Sequence, residues 1–103
     1  MTPLEKEIEM ALRHMVAHHD GACLKWVCPG WAGVPDRIIL LPGGRVIFAE
    51  IKRPKGGRID PRQKWWRTKL ESLGFEHHFV WCMRDVLDLG QSIMANEGEG
   101  HKA

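Results

Sequence analysis

A chain of 103 residues that is 44% hydrophobic can build one domain around one core, and it is too apolar for a disordered chain. Its three cysteines, an odd number at irregular spacing, make no disulfide framework and suit a reducing cytoplasm. No apolar run reaches the length of a membrane span, and the N-terminus has no secretory-signal pattern. The net charge is only +2, but it is unevenly spread. Residues 45–69 hold nine Lys and Arg against two acids, which puts +7 there and leaves −5 for the rest. Such density suits a polyanion partner, although a solvated basic helix face is the commoner cause of it.

In chain order, a first helix is expected with Thr2 as N-cap, Pro3 at the first helical position and Glu5 at the third, a capping box. Leu4, Ile8, Leu12, Met15 and Val16 recur at helical spacing to about His18, and Asp20-Gly21 marks the end. Residues 23–28 read as a short strand, and residues 29–33 as a loop anchored by Trp31. Trp31 can pack within that loop or stack on a nucleic-acid base, packing being the commoner fate of a tryptophan. Residues 38–41 and 45–52 read as two strands joined by the turn Pro42-Gly43-Gly44. The stretch after Lys52, up to Ile59, is a basic Gly-rich loop without the P-loop pattern.

Asp60-Pro61-Arg62-Gln63 opens a second helix, with Asp60 as N-cap and Gln63 completing a capping box. Trp66, Leu70 and Leu73 make its buried stripe and Trp65 lies on the margin. Arg62, Lys64, Arg67, Lys69 and Glu71 lie largely around its exposed face, and Gly74 caps it. Residues 75–82 read as a further strand, and residues 84–89 start a last helix with Asp85 near its N-terminus. The polar, Gly-rich stretch 96–103 reads as a disordered tail behind a domain of residues 1–95.

The two-strand segment carries the chemistry. Alternation along a strand puts Glu50 and Lys52 on one face with Ile51 opposite. With the turn centred on Gly43-Gly44, antiparallel pairing sets Asp36 opposite Glu50 or Ile51. Two carboxylates and an ammonium then converge at the open end of an apolar hairpin. Neighbouring carboxylates repel, and a hard divalent cation relieves the repulsion through oxygen ligands. Its bound water has a lowered pKa, and a nearby Lys can orient that water or offset charge in a phosphoryl transition state. An isolated Glu-x-Lys is most often an exposed ion pair, but the Pro-Asp leading into the first strand favours a metal site. Zinc is disfavoured: His14, His18, Cys23 and Cys28 have poor finger spacing, and the adjacent His77 and His78 face opposite sides of a strand. The cysteines are expected as small core residues.

Gly33-Val-Pro-Asp36, then Glu50-Ile-Lys52, then Gln63 in a Gln-x-x-Trp helix start, resemble the PD-(D/E)xK nuclease superfamily. Within it they are most similar to the small stand-alone VRR-NUC domains of phages and bacteria, over about residues 4–89. The resemblance implies an α/β, restriction-endonuclease-like core with a mixed central β-sheet flanked by α-helices. The order helix, three strands, helix, strand, helix fits it. It also implies an endonuclease dependent on Mg²⁺ or Mn²⁺, cutting DNA phosphodiesters in the cytoplasm of a bacterial or phage-infected cell. By the same resemblance Asp36, Glu50 and the Ile51 backbone carbonyl bind the metal, Lys52 positions the attacking water, and Gln63 orients site groups. A first-helix carboxylate joins them, Glu5 by the best match or Glu9 one turn on.

Arg53, Lys55 and Arg58 of the basic loop, with Arg62 and Arg67 of the helix, would hold phosphates. Similar stand-alone proteins resemble Holliday-junction resolvases and act as homodimers, so branched DNA and a second copy are the expected partners, with no small-molecule cofactor. Two sites related by a two-fold axis could address two strands. The residues also leave room for a non-catalytic DNA-binding module of the same fold and for RNA as substrate. A carboxylate pair beside phosphates speaks against the binding module. No base-readout signature is present, so binding is expected to follow DNA structure rather than sequence.

Overall fold

The structure, a computed structural model, describes residues 4–100. The chain runs α1 (Glu5–His18), β1 (Ala22–Lys25), β2 (Arg37–Leu40), β3 (Val46–Ile51), α2 (Pro61–Ser72), β4 (Glu76–Val80) and α3 (Met83–Gly100). A single 3-10 turn over Pro42–Gly44 joins β2 to β3. This is the element order that the sequence pattern predicts. The strands form one mixed sheet in the order β1-β2-β3-β4. The first three pair antiparallel as a meander, whereas β4 lies parallel to β3. A parallel neighbour needs a crossover, and α2 supplies it.

Strand β3 sorts its side chains between two environments. Ile47, Ala49 and Ile51 join Ile39 and Val80 on the face covered by α1 and α3, against Ile8, Leu12 and Val16 of α1 and Val86, Leu89 and Ile93 of α3. Those helix positions recur every three or four residues, one stripe per helix. The two helices close on each other at Gly90, where a Cβ would come within 3.2 Å of the Met15 side chain. Leu4, by contrast, is exposed, and Met15 is only half-buried, so the α1 stripe is narrower than its spacing suggests.

Two helix ends differ from expectation. Thr2 and Pro3 lie outside the described residues, and α1 starts at Glu5 with Leu4 as an N-cap that makes no side-chain bond. Glu5 is therefore the first helical residue and not the third of a capping box. Its carboxylate and that of Glu7 sit in the first turn, where the helix dipole favours negative charge. At the other end of the chain, α3 continues to Gly100, into the stretch whose composition reads as a tail. Arg45 helps to hold that helix, donating to both oxygens of Glu76 and to the Ser92 carbonyl and hydroxyl. Residues 101–103 lie outside the described residues.

Helix α2 begins as its sequence predicts, with the capping box of Asp60 and Gln63 formed. Its stripe does not hold throughout: Leu70 is buried and Trp66 half-buried, but Leu73 is 59% exposed. The helix packs chiefly on the edge strand β4, so its last turn has little sheet beneath it. The backbone then turns at Gly74, with φ 92°. The three cysteines are free and half-buried, Cys23 lying at the margin of the core. Among the described residues no helix is long and apolar enough to cross a membrane.

Candidate active site

The register of β2 and β3 pairs Arg37 with Ala49, which sets Asp36 against Glu50 just beyond the ladder. Each carboxylate is fixed by a backbone amide of the opposite segment. The Asp36 N–H donates to Glu50 Oε2 at 2.9 Å, and the Ile51 N–H donates to Asp36 Oδ2 at 3.0 Å. The loop before Asp36 is wedged in place. Pro35 is fully buried, and Gly33, at φ 84°, lies so close to α2 that a Cβ would sit 2.6 Å from the Arg62 Cβ. Only glycine meets both the space and the left-handed backbone there.

The Lys52 N–H donates to the Val80 carbonyl at 2.9 Å, carrying the β3–β4 pairing one residue further. Alternation then turns Lys52 to the same side as Glu50, while Ile51 goes into the core. Lys52 Nζ donates to Gln63 Oε1 at 2.5 Å and lies 3.8 Å from Glu50 Oε1. The Gln63 amide nitrogen donates to Glu50 Oε1, and its oxygen also accepts from the Asp60 N–H at 2.9 Å. Gln63 thus caps its helix and joins Glu50 to Lys52 at the same time.

Glu50 is 4% exposed and Lys52 9% exposed. Burial foremost, and the neighbouring Asp36 carboxylate next, push the Glu50 carboxyl up to about 7, against the pull of Lys52. The two carboxylates are held together by the backbone at an electrostatic cost that an added cation would relieve.

These groups line an open cleft of about 470 Å³, with Glu5 at one side and Arg53, Gly56, Gly57 and Arg58 of the basic loop at another. Glu9 faces an adjoining pocket and is ion-paired with Arg37. Of the two first-helix carboxylates, Glu5 is the one brought to the cleft. The Glu9–Arg37 pair could not be read in sequence, because it depends on α1 crossing the sheet at the start of β2. Among the described residues no three His, Cys, Asp or Glu side chains gather closely enough to ligate a metal by themselves. Asp36 and Glu50 form a pair, beside which Ile51 also lines the cleft.

The other candidate phosphate contacts are dispersed. Lys55 is exposed on the loop, outside the cleft lining. Arg62 is exposed at the start of α2 and held by Asp60 at 3.1 Å, which lowers the Asp60 carboxyl below its usual range. Arg67 pairs with Glu71 at 3.4 Å and lies over the Phe79 ring, 5.5 Å from its centroid, apart from the cleft.

No family model matches the chain. A solved structure described as a VRR_NUC domain superposes with a TM-score of 0.78 over 82% of this chain and 91% of its own, at 24% identity, and so shares the fold. The phage protein "Putative nuclease p44", of Acyrthosiphon pisum secondary endosymbiont phage 1, is 40% identical over 72 residues, or 70% of this chain and 76% of that one. The chain belongs to the VRR-NUC family. Three pieces of the VRR-NUC fold meet at the cleft: the wedged loop ending in Asp36, the end of β3 carrying Glu50 to Lys52, and the N-terminus of α2 carrying Gln63. The VRR-NUC chain thereby draws its candidate site from three separate sequence segments, each held by backbone bonds of its own.

Proposed function

We propose that the protein is a divalent-metal-dependent endonuclease that hydrolyses DNA phosphodiester bonds, directed by DNA structure toward branched, Holliday-junction-like substrates, and acting as a homodimer. The observation that carries this reading is the half-buried Asp36 set beside the buried Glu50, with the Lys52 ammonium in the same cleft. The donor set fits a hard cation. Both carboxylates are oriented by amides, Asp36 is held beside Glu50, and every available donor is oxygen. Asp36, Glu50 and the Ile51 carbonyl would hold Mg²⁺ or Mn²⁺, with Glu5 contributing to a second metal or to the outer shell. Such an ion, when bound, polarises phosphoryl oxygens and lowers the pKa of its water.

The chain's own groups supply the rest. Lys52, steered by Gln63, orients the attacking water and offsets charge that builds on the phosphoryl group. Gln63 keeps Lys52 and Glu50 in register with the helix N-terminus, itself a favourable place for phosphate. Arg53 and Arg58 grip the backbone at the cleft, with Lys55, Arg62 and Arg67 extending that grip outward. The homodimer is supported by apolar side chains left open on the sheet face away from α1 and α3, including Leu24 at 48% and Leu40 at 41% exposure.

The test is cleavage of supercoiled plasmid, a linear duplex and a labelled four-way junction in Mg²⁺, Mn²⁺ or EDTA, with Lys52→Ala alongside. The expected result is metal-dependent cutting, fastest on the junction, that falls about 10²-fold or more in the variant. Tight DNA binding without cutting in any metal would replace the enzyme by a binding module. Equal rates on junction and linear duplex would remove the branched substrate, and faster cutting of RNA would change the substrate class. Sedimentation of a single chain would remove the dimer.

A further inference from the structure

One aromatic cluster beside the cleft is larger than its structural work requires. Trp66 of α2 is its hub: the indole N–H donates to the Ala32 carbonyl at 3.1 Å, tying α2 to the loop between β1 and β2. Trp26 packs against Trp66 at 6.2 Å between centroids and against Phe48 of β3 at 5.4 Å. Both Trp26 and Trp66 are half-buried, and together they hold the loop to the sheet. Trp31 and Trp65 add little to that. Trp31 is 60% exposed and Trp65 53% exposed, an uncommon state for so large an apolar side chain.

Each of these two rings meets Trp66 nearly at right angles, at 80° and 86°, with centroids 5.7 and 5.1 Å away. An edge-on contact covers at most one face of a ring, and with this exposure each ring keeps aromatic surface in solvent. The location is also specific. Trp66 lies one turn beyond Gln63, about 4.5 Å along the helix axis, and Gly33 presses on Arg62, the residue before Gln63. Arg62 and Lys64, on the same first turns of α2 as Trp65, are exposed. A flat aromatic face with cations beside it, next to a cleft suited to phosphates, matches an unpaired nucleobase and its backbone. A base inside a duplex keeps both faces on its neighbours and offers no such surface.

We propose that Trp31 and Trp65 form a stacking platform for unpaired nucleobases of the DNA substrate, beside the Asp36–Glu50 cleft. This rests on the nuclease reading above and narrows it: the substrate presents single-stranded or unpaired nucleotides next to the phosphate to be cut. A branch point supplies such nucleotides.

The experiment is binding of labelled oligo(dT) and of a blunt duplex of equal length in EDTA, read by fluorescence anisotropy. It compares the wild type, the double variant Trp31→Ala/Trp65→Ala, and Trp31→Phe/Trp65→Phe. The alanine variant is expected to lose about tenfold or more in affinity for oligo(dT) and under about twofold for the duplex, with phenylalanine restoring most of the loss. Equal loss on both ligands would overturn the platform, as would absence of oligo(dT) binding by the wild type. A fall from two chains to one in the alanine variant, seen by sedimentation, would mean instead that the rings are buried between copies. Because binding is read without metal, a protein that stacks oligo(dT) but never cuts would refute the nuclease and leave the platform standing.

Discussion

The two faces of the sheet are built from the same strands and do opposite things. Under α1 and α3, Ile39, Ile47, Ala49, Ile51 and Val80 make a buried aliphatic layer. On the other face the alternate residues of β3 and its extension are Val46, Phe48, Glu50 and Lys52, and α2 packs chiefly on the neighbouring β4. Buried charge there is held by named hydrogen bonds rather than by packing. Stability is concentrated on the first face, and the second uses some of it to keep charges where water would otherwise be. A single strand with period two suffices to separate the two tasks.

Substitutions that test this division differ in size. The largest effect belongs to the closed face: Ile47→Ala should cost about 2–5 kcal/mol in urea unfolding, because a fully buried side chain leaves a cavity. A cost below about 1 kcal/mol would mean that the face is not packed as described.

Next comes the pH response of the polar face. In the folded protein Glu50 keeps its proton up to about 7, whereas an unfolded Glu releases it near 4.5. The folded state therefore binds more protons between those values, and stability falls as pH rises through that window. His77 opposes this trend. Burial, with Arg67 nearby, lowers its imidazole to about 4 from 6.5, so its contribution is lost as pH falls through that interval. Comparison with Glu50→Gln isolates the Glu50 contribution. Between pH 4.5 and 8 in EDTA, the wild type should lose stability relative to the variant by on the order of 2 kcal/mol. Parallel pH curves for the two proteins would show that Glu50 is not strained.

The smallest effect separates the cleft from its surroundings. Arg58→Ala should weaken DNA binding a few-fold and lower the salt slope by about one phosphate. Arg67→Ala, at the outer margin of the phosphate grip and already paired with Glu71 over Phe79, should weaken binding less, by no more than about twofold, and cost about 0.5 kcal/mol of stability. The reverse ranking would move the phosphate path from the cleft to the exposed face of α2.

Much of the candidate site was legible because its cues are local. The alternation of Glu50, Ile51 and Lys52 needs only a strand, the Asp60–Gln63 box needs only a helix start, and the Gly43-Gly44 turn carries the register that brings Asp36 to Glu50. The order of elements followed from the same kind of cue. What stayed hidden depends on contacts between distant elements. The exposure of Leu73 follows from how little sheet α2 covers, and the Glu9–Arg37 pair from the crossing of α1 over β2. The hub role of Trp66 required knowing that the loop at Ala32 folds back onto α2. The helical course of α3 past Asn96 is likewise invisible to composition, as is the anchoring of that helix at Ser92 by Arg45 from another element.

The shared oxygen of Gln63 has one further consequence. By accepting from both Lys52 and the Asp60 backbone, it clips together the two ends of the basic segment between them. A loop closed at its base can change length cheaply, since doubling it adds only about 0.6 kcal/mol of closure entropy. Gly57 is the constrained point, because a Cβ there would strike the Arg53 carbonyl at 2.5 Å and the Trp81 ring at 3.0 Å. The remainder is an exchangeable cassette. Longer or differently charged inserts at its tip would leave Glu50 and Lys52 in their positions, because the clip at Gln63 lies at the base of the segment.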